Sequence, residues 1–345
     1  MFTITTDDID AVLQDFKIQE KCFAFSELQR YDYKKDAPTS RELRLIIKAE
    51  LGCDHSLVIR FKNEKDAPLE VINAQSEFAV LLADRGIETP RVYSSEGQYA
   101  RQYHINGYDV IATVEDFANG ELQAVDVETS EETGKLLARM HNIAETADAH
   151  VQNDVLFDPL QRNDLFSFEE FAACKDKLIV VDEALYDNIV REHAKLLQRV
   201  KVFEKEPRYA VQGDLSNCNL YRKPDGEIGV FDFNRSGDNI LYFDAVMQAI
   251  FVARLMDYPA ELVGKQENLI LSSFLKGYHQ KRPFRKEQMD VYPYLYALAS
   301  TFWLGDIKWD NRSLAEAVET NDLAAVQQWM QRIYERTSFL PSMPV

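Results

Sequence analysis

The chain has no long apolar run. In 345 residues no stretch is long enough to cross a bilayer, and the start lacks a basic region, apolar core and small-residue cleavage site, so neither a membrane partner nor secretion is expected. Cysteine is scarce. The four, Cys22, Cys53, Cys174 and Cys218, show neither the paired spacing of a zinc site nor a disulfide framework, which fits free thiols in a cytoplasmic protein. Also missing are G-x-S-x-G, His-Glu-x-x-His, G-x-G-x-x-G and a Walker lysine loop, which removes the esterase, zinc-hydrolase, dinucleotide and P-loop readings. Positive charge is in deficit: 39 Lys and Arg face 57 Asp and Glu, a net charge of −18. That balance argues against nucleic acid as a partner and favours a cationic small molecule. No repeat or low-complexity tract interrupts the chain, and a 46% hydrophobic content suffices for a large core divided into two lobes.

What is present is concentrated between positions 211 and 234. Val211-Gln212-Gly213-Asp214-Leu215-Ser216-Asn217-Cys218-Asn219-Leu220 is followed shortly by Val230-Phe231-Asp232-Phe233-Asn234. Two short strand-like runs, 219–222 and 227–231, flank Lys223-Pro224-Asp225-Gly226. In that turn Pro presets φ, Asp bonds its own backbone and Gly accepts positive φ, so a β-hairpin is expected. Closing it brings the Asn219 amide and the Asp232 carboxylate together as two hard oxygen ligands, enough for magnesium when a nucleotide supplies the rest. Asp214, five positions before Asn219, is placed to accept the proton of an attacking hydroxyl. Single turn residues of these types are common between strands; their coincidence here is what points to phosphoryl transfer.

This segment resembles the catalytic loop and metal-binding hairpin of the aminoglycoside phosphotransferase and choline kinase family. The resemblance implies an α+β, two-lobed protein-kinase-like fold: an N-terminal antiparallel sheet lobe with one helix (1–117) and a larger, mainly helical C-terminal lobe (118–345). It implies Asp214 as catalytic base, Asn219 and Asp232 as ligands of Mg2+, and ATP or GTP as phosphoryl donor. Leu57-Val58-Ile59-Arg60-Phe61-Lys62 resembles the strand whose cation grips the nucleotide phosphates, with Arg60 the better positional match and Lys62 the alternative. The helix pattern from about Val71 carries Glu77, which by resemblance pairs with that cation; a solvated helix-face charge is the bland alternative. Asn106-Gly107 marks a hairpin whose second strand runs into Glu115-Asp116-Phe117, the expected nucleotide hinge, with Glu115 and Phe117 chosen by position.

Further along, Thr129-Ser130-Glu131-Glu132 reads as a capping box opening a helix with Leu136, Leu137 and Met140 on one face. It ends in Leu137-Ala138-Arg139-Met140-His141, a family-like signature in which His141 reads as a packing residue beneath the catalytic loop. A long helix is expected from Asp182 to Glu204, with His193 structural, and Asp244 reads as a buried structural aspartate. Two departures from the family stand out. Gln212 occupies a position where the family has His, and the phosphate-covering loop, Gln29 to Arg41 with Lys34, Lys35, Thr39 and Ser40, has no glycine. They support an alternative, a catalytically silent nucleotide-binding protein or scaffold. For the small-molecule acceptor the candidates are Asp238, Trp303 and Asp306, with Trp309 and Asp310 nearby; aromatic faces with carboxylates suit an ammonium or amino sugar. Trp303, Asp306 and Asp310 at helical spacing equally describe one half-buried helix face.

Overall fold

The computed structural model describes residues 1–32, 42–52, 55–161, 165–255 and 266–345. Lys34, Lys35, Thr39 and Ser40 of the expected phosphate-covering loop lie outside them, as does Cys53. In chain order the elements begin with α1 (Thr6–Asp15), β1 (Ala24–Asp32), β2 (Leu43–Gly52), β3 (His55–Asn63), α2 (Leu69–Asp84), β4 (Arg101–Ile105) and β5 (Tyr108–Asp116). Next come α3 (Val127–Thr146), α4 (Phe168–Ala173), α5 (Lys175–Val200), β6 (Tyr209–Val211), β7 (Leu220–Arg222), β8 (Ile228–Val230) and β9 (Gly237–Asn239). The chain finishes with α6 (Leu241–Leu255), α7 (Gln266–Lys281), α8 (Lys286–Thr301), α9 (Leu314–Glu319) and α10 (Leu323–Ser338). Among the described residues no helix is long and apolar enough to cross a membrane.

The chain forms two compact units. One comprises Met1–Leu122, Ala149–Asn153 and Cys218–Gly237; the other comprises Gln123–Asp148, Asp154–Asn217 and Asp238–Val345. In the first, five antiparallel strands run in the order β1-β2-β3-β5-β4. Alternate residues of a strand face opposite sides of a sheet, and β3 uses both. Leu57, Ile59 and Phe61 enter a core with Phe2 and with Ile9, Val12, Leu13 and Phe16 from the α1 region. Arg60 and Lys62, on the other side, are buried as well. Cross-strand register puts Lys62 opposite Arg44 of β2, Arg60 opposite Thr113 of β5, and Val58 opposite Glu115. A strand buried from Leu57 to Lys62 with two cations on one face has to be explained by what those cations meet.

The second unit is mainly helical. α3 is capped by Asp126, whose carboxylate accepts the Thr129 N–H (2.7 Å), so the helix starts earlier than the Thr129 box suggests. Thr129 and Ser130 are both buried, and Ser130 Oγ donates to Ile270 O of α7 (2.8 Å) rather than capping α3. α3 and α7 approach closely through glycines. A Cβ at Gly277 would lie 2.0 Å from Glu131 O, and one at Gly134 2.1 Å from Phe274 O. Both obstacles are backbone, so Gly277→Ala is expected to destabilise the protein by about 3 kcal/mol. Urea denaturation reads this directly, and an unchanged midpoint would refute the close crossing.

α5 begins at Lys175, before the expected Asp182, but Asp182 is where its backbone leaves helical geometry (φ −161°, ψ 92°) and its carboxylate caps the Leu185 N–H (2.9 Å). The sequence signal was a true cap inside a kinked helix. On its far half His193 stacks flat on Phe168, with centroids 3.8 Å apart, and meets Phe302 edge-on. Burial lowers its imidazole to about 4, against 6.5 for the free group. As pH falls below 6.5 the unfolded chain therefore takes up this proton first. Stability from this site is full above 6.5 and is lost between 6.5 and about 4, by up to about 1.4 kcal/mol per pH unit. His193→Phe keeps a ring and removes the titration, so its melting temperature should fall less than the wild type's across that window; parallel curves would refute the assignment.

Candidate functional site

The hairpin forms as its turn chemistry dictates. β7 and β8 pair Leu220 with Val230 and Arg222 with Ile228, and Phe231 N–H donates to Asn219 O (3.0 Å), extending the ladder by one step. Asn219 and Asp232 thus leave the same end of the hairpin. The hairpin is also held from outside: Val230 N–H donates to Glu88 O (3.0 Å), Arg222 N–H to Gly120 O (2.9 Å) and Leu122 N–H to Leu220 O (3.0 Å). Asn219 is buried, and Asp232 is half-buried with φ +56°. A left-handed conformation is unusual for any residue but glycine and tolerated best by Asn and Asp.

Electrostatics favour a charged Asp232. Burial alone would raise its carboxyl, yet the Arg60 and Lys62 cations and the Asn234 N–H, which donates to Oδ1 (3.2 Å), outweigh it and hold the group below the usual range. Lys62 Nζ donates to Asn234 Oδ1, and burial brings this ammonium down to about 7. Arg60 Nη1 pairs with Glu115 (2.5 Å). The expected Arg60–Glu77 pair does not form. α2 turns Ile72, Gln75, Phe78, Ala79 and Leu82 inward, which leaves Glu77 exposed, accepting from Asn73 Nδ2 (2.6 Å). Glu115, two positions along β5 from Arg60's partner Thr113 and on the same face, supplies the carboxylate instead. Glu115 is therefore engaged through its side chain, and at Phe117 the N–H donates to Ser56 O (2.9 Å) while the ring lies under Lys48 Nζ (4.4 Å).

In the second unit, Asp214 sits on a loop fixed by two buried glutamines. Its N–H donates to Gln212 Oε1 (2.8 Å), and the next N–H, of Leu215, donates to Gln248 Oε1 (3.1 Å). Both glutamines are fully buried. Gln212 thus acts as a strut for the loop through its amide. His141, also fully buried, joins three helices: Nε2–H donates to Asp244 Oδ2 (3.0 Å) and Nδ1 accepts from Tyr278 O–H (2.9 Å), as a neutral imidazole can. Burial lowers its pKa, in keeping with that state.

The acceptor candidates are dispersed among structural contacts. Trp303 is buried with the Arg254 guanidinium over its ring (5.4 Å), and Asp306 pairs with Arg336 (2.5 Å) in a π-helical turn, Gly305–Trp309. Asp306 and Asp310 line a recess with Arg312, Trp329 and Arg332, and Trp309 is exposed. Asp238 is half-buried in β9.

Sequence reasoning missed Gln75, Asn234, Asn153 and Gln248. Two carried a signal. Gln75 interrupts the apolar stripe of α2, and Gln248 is, beside Asp244, a polar residue in the otherwise apolar, wholly buried first turns of α6.

The donor set fits a nucleotide-bound magnesium ion. No group of three or more His, Cys, Asp or Glu suited to a metal gathers among the described residues. Asn219 and Asp232 offer one amide and one carboxylate, hard oxygens that suit a cation completing its shell with phosphates and water. In the same unit Arg60 Nε and Asn234 Nδ2 are buried donors that lack an acceptor among the described residues, and both residues line one recess with Gln75, Thr113 and Phe233. Phosphate oxygens are acceptors of the kind they lack.

No curated protein sequence matches the chain. Solved structures do. A microcompartment-associated aminopropanol kinase aligns with a TM-score of 0.57 at 12% identity, over 95% of this chain and 96% of that one. An amicoumacin kinase in complex with AMP-PNP and Ca2+ gives 0.57 at 19%, over 96% and 94%. An aminoglycoside phosphotransferase from Alicyclobacillus acidocaldarius gives 0.53 at 11%, over 90% and 93%. At these identities the likeness speaks for the fold. The family model is more specific: residues 44–284, which hold Arg60, Glu115, Asp214, Asn219 and Asp232, match the phosphotransferase enzyme family, and the chain belongs to that family.

Proposed function

We propose that the protein transfers the γ-phosphoryl group of ATP or GTP to a hydroxyl of a small, amine-bearing molecule. The observation that carries this reading is the ionised Asp232, held in a left-handed conformation at the hairpin end it shares with Asn219 and faced by the buried cations Arg60 and Lys62. Asn219 and Asp232 would hold Mg2+, which when bound neutralises charge on the phosphates. Arg60, through its free Nε, donates to a phosphate oxygen. Asp214 accepts the proton of the acceptor hydroxyl and orients that oxygen for in-line attack, and the two glutamines hold its backbone so that little reorganisation accompanies the step. A loose phosphoryl transition state asks little else of the protein.

An amine in the acceptor agrees with the charge of −18 and with the substrates that the names of the aminopropanol kinase and the aminoglycoside phosphotransferase record. Gln212, a departure that supported a silent protein, accepts the Asp214 N–H and so no longer favours that alternative. The test is nucleoside diphosphate release with magnesium and a panel of amino alcohols, aminoglycosides and sugars, with 31P NMR of any product. Magnesium-dependent nucleotide binding without transfer to any acceptor would favour the silent reading, and no nucleotide binding would remove both.

A further inference from the structure

Gln75 of α2 is 4% exposed, and its Nε2 donates to two backbone carbonyls of the segment that follows Asp232: Asn234 O (2.9 Å) and Ser236 O (3.2 Å). Asn153 Nδ2 donates to the same Ser236 O (3.1 Å), Lys62 Nζ to Asn234 Oδ1, and Asn234 N–H to Asp232 Oδ1 (3.2 Å). One run of hydrogen bonds therefore leads from α2 through Asn234 to the Asp232 carboxylate. Asp232 needs such support, because a φ of +56° is strained for any residue but glycine and persists only where the surroundings over-determine it. An apolar side chain would serve the packing of α2 as well as Gln75 does, since its neighbours on the buried stripe are Ile72, Phe78, Ala79 and Leu82. What the amide adds is two donors aimed at two carbonyls of one loop. Glu77, which the family resemblance puts in charge of connecting this helix to the site, points away from it.

We propose that Gln75 is a positioning residue for the metal ligand Asp232, and that its amide is the connection through which α2 acts on the metal loop. The inference rests on the phosphotransferase reading. Its test uses the full chain as wild type, Gln75→Met and Gln75→Glu, with Mn2+ and ADP as probes. Mn2+ binding in the presence of ADP is followed by electron paramagnetic resonance, and ADP binding without metal by calorimetry. Gln75→Met is expected to weaken Mn2+ binding about tenfold, while affinity for metal-free ADP changes less than about threefold. Gln75→Glu, equal in shape but without the donors, should weaken it at least as much. A residue that only fills space would lower the melting temperature and leave Mn2+ affinity where it was; that result in either folded variant overturns the proposal. Should both variants fail to fold, Asn153→Ala, which removes the second bond to Ser236 O, is expected to weaken Mn2+ binding about twofold, and no change would overturn it. A wild type that binds ADP but no Mn2+ overturns the phosphotransferase reading as well, whereas equal Mn2+ affinities across the three proteins overturn only the role of Gln75.

Discussion

Asp214→Ala is expected to lower turnover on the order of 10³-fold, the contribution of a well-placed general base, while affinity for the magnesium nucleotide changes less than about threefold. The separation follows from where Asp214 sits. Its loop is built by Gln212 and Gln248 and belongs to the second unit, whereas Asn219, Asp232, Arg60 and Lys62 belong to the first. Truncating Asp214 removes a proton acceptor and leaves those residues intact. Steady-state kinetics on an acceptor found by the panel, with nucleotide binding measured alongside, checks both halves. Full turnover in the variant would end the assignment of the base.

Asp232→Asn should do the opposite and lose binding and turnover together. Asparagine tolerates the left-handed backbone nearly as well as aspartate, so the change isolates the charge. Wild type at a nucleotide concentration a hundredfold above its Kd should gain about 2.7 kcal/mol of stability from the magnesium nucleotide, and the variant should gain none. The variant should also start lower, because Lys62 and Arg60 lose a counter-charge, although Arg60 keeps Glu115. The acid limb carries the same sign. The carboxyl is held below its free value of 3.8, so the stability it contributes is full above that value and declines as the pH falls through the lower folded value. The variant lacks this limb. A magnesium-dependent thermal shift that survives Asp232→Asn would remove Asp232 from the metal site.

Much of this was legible in advance because it rests on local rules. The hairpin around Pro224-Asp225-Gly226 needs only turn chemistry and two β-branched or aromatic flanks, and it formed in the register that sends Asn219 and Asp232 out of one end. The antiparallel sheet and the mainly helical second unit agree with what the family resemblance implied. What local rules cannot reach is which of two chemically equivalent partners a buried charge takes. Glu77 and Glu115 are both plausible for Arg60 on paper, but the choice is made by the rotation of α2 about its axis, which its apolar stripe sets, and by the β3–β5 register. The same holds for Trp303 and Asp306: their aromatic and acidic character suits an ammonium ligand, yet Arg254 and Arg336, which are distant in sequence, engage them.

The first unit is also not a continuous piece of chain. Its sheet and α2 are complete by residue 122, but Cys218–Gly237 belongs to it too. Until those residues emerge during synthesis, Gln75 and Lys62 lack the Asn234 and Ser236 acceptors, and Glu88 lacks the Val230 N–H and the Tyr221 and Lys223 side chains that it holds in the finished protein. Two thirds of the chain must therefore be made before the buried cations of β3 meet the loop they hold, so this unit, though it starts first, closes late, and a fragment ending at Leu122 would carry an ammonium and an amide facing nothing that can satisfy them.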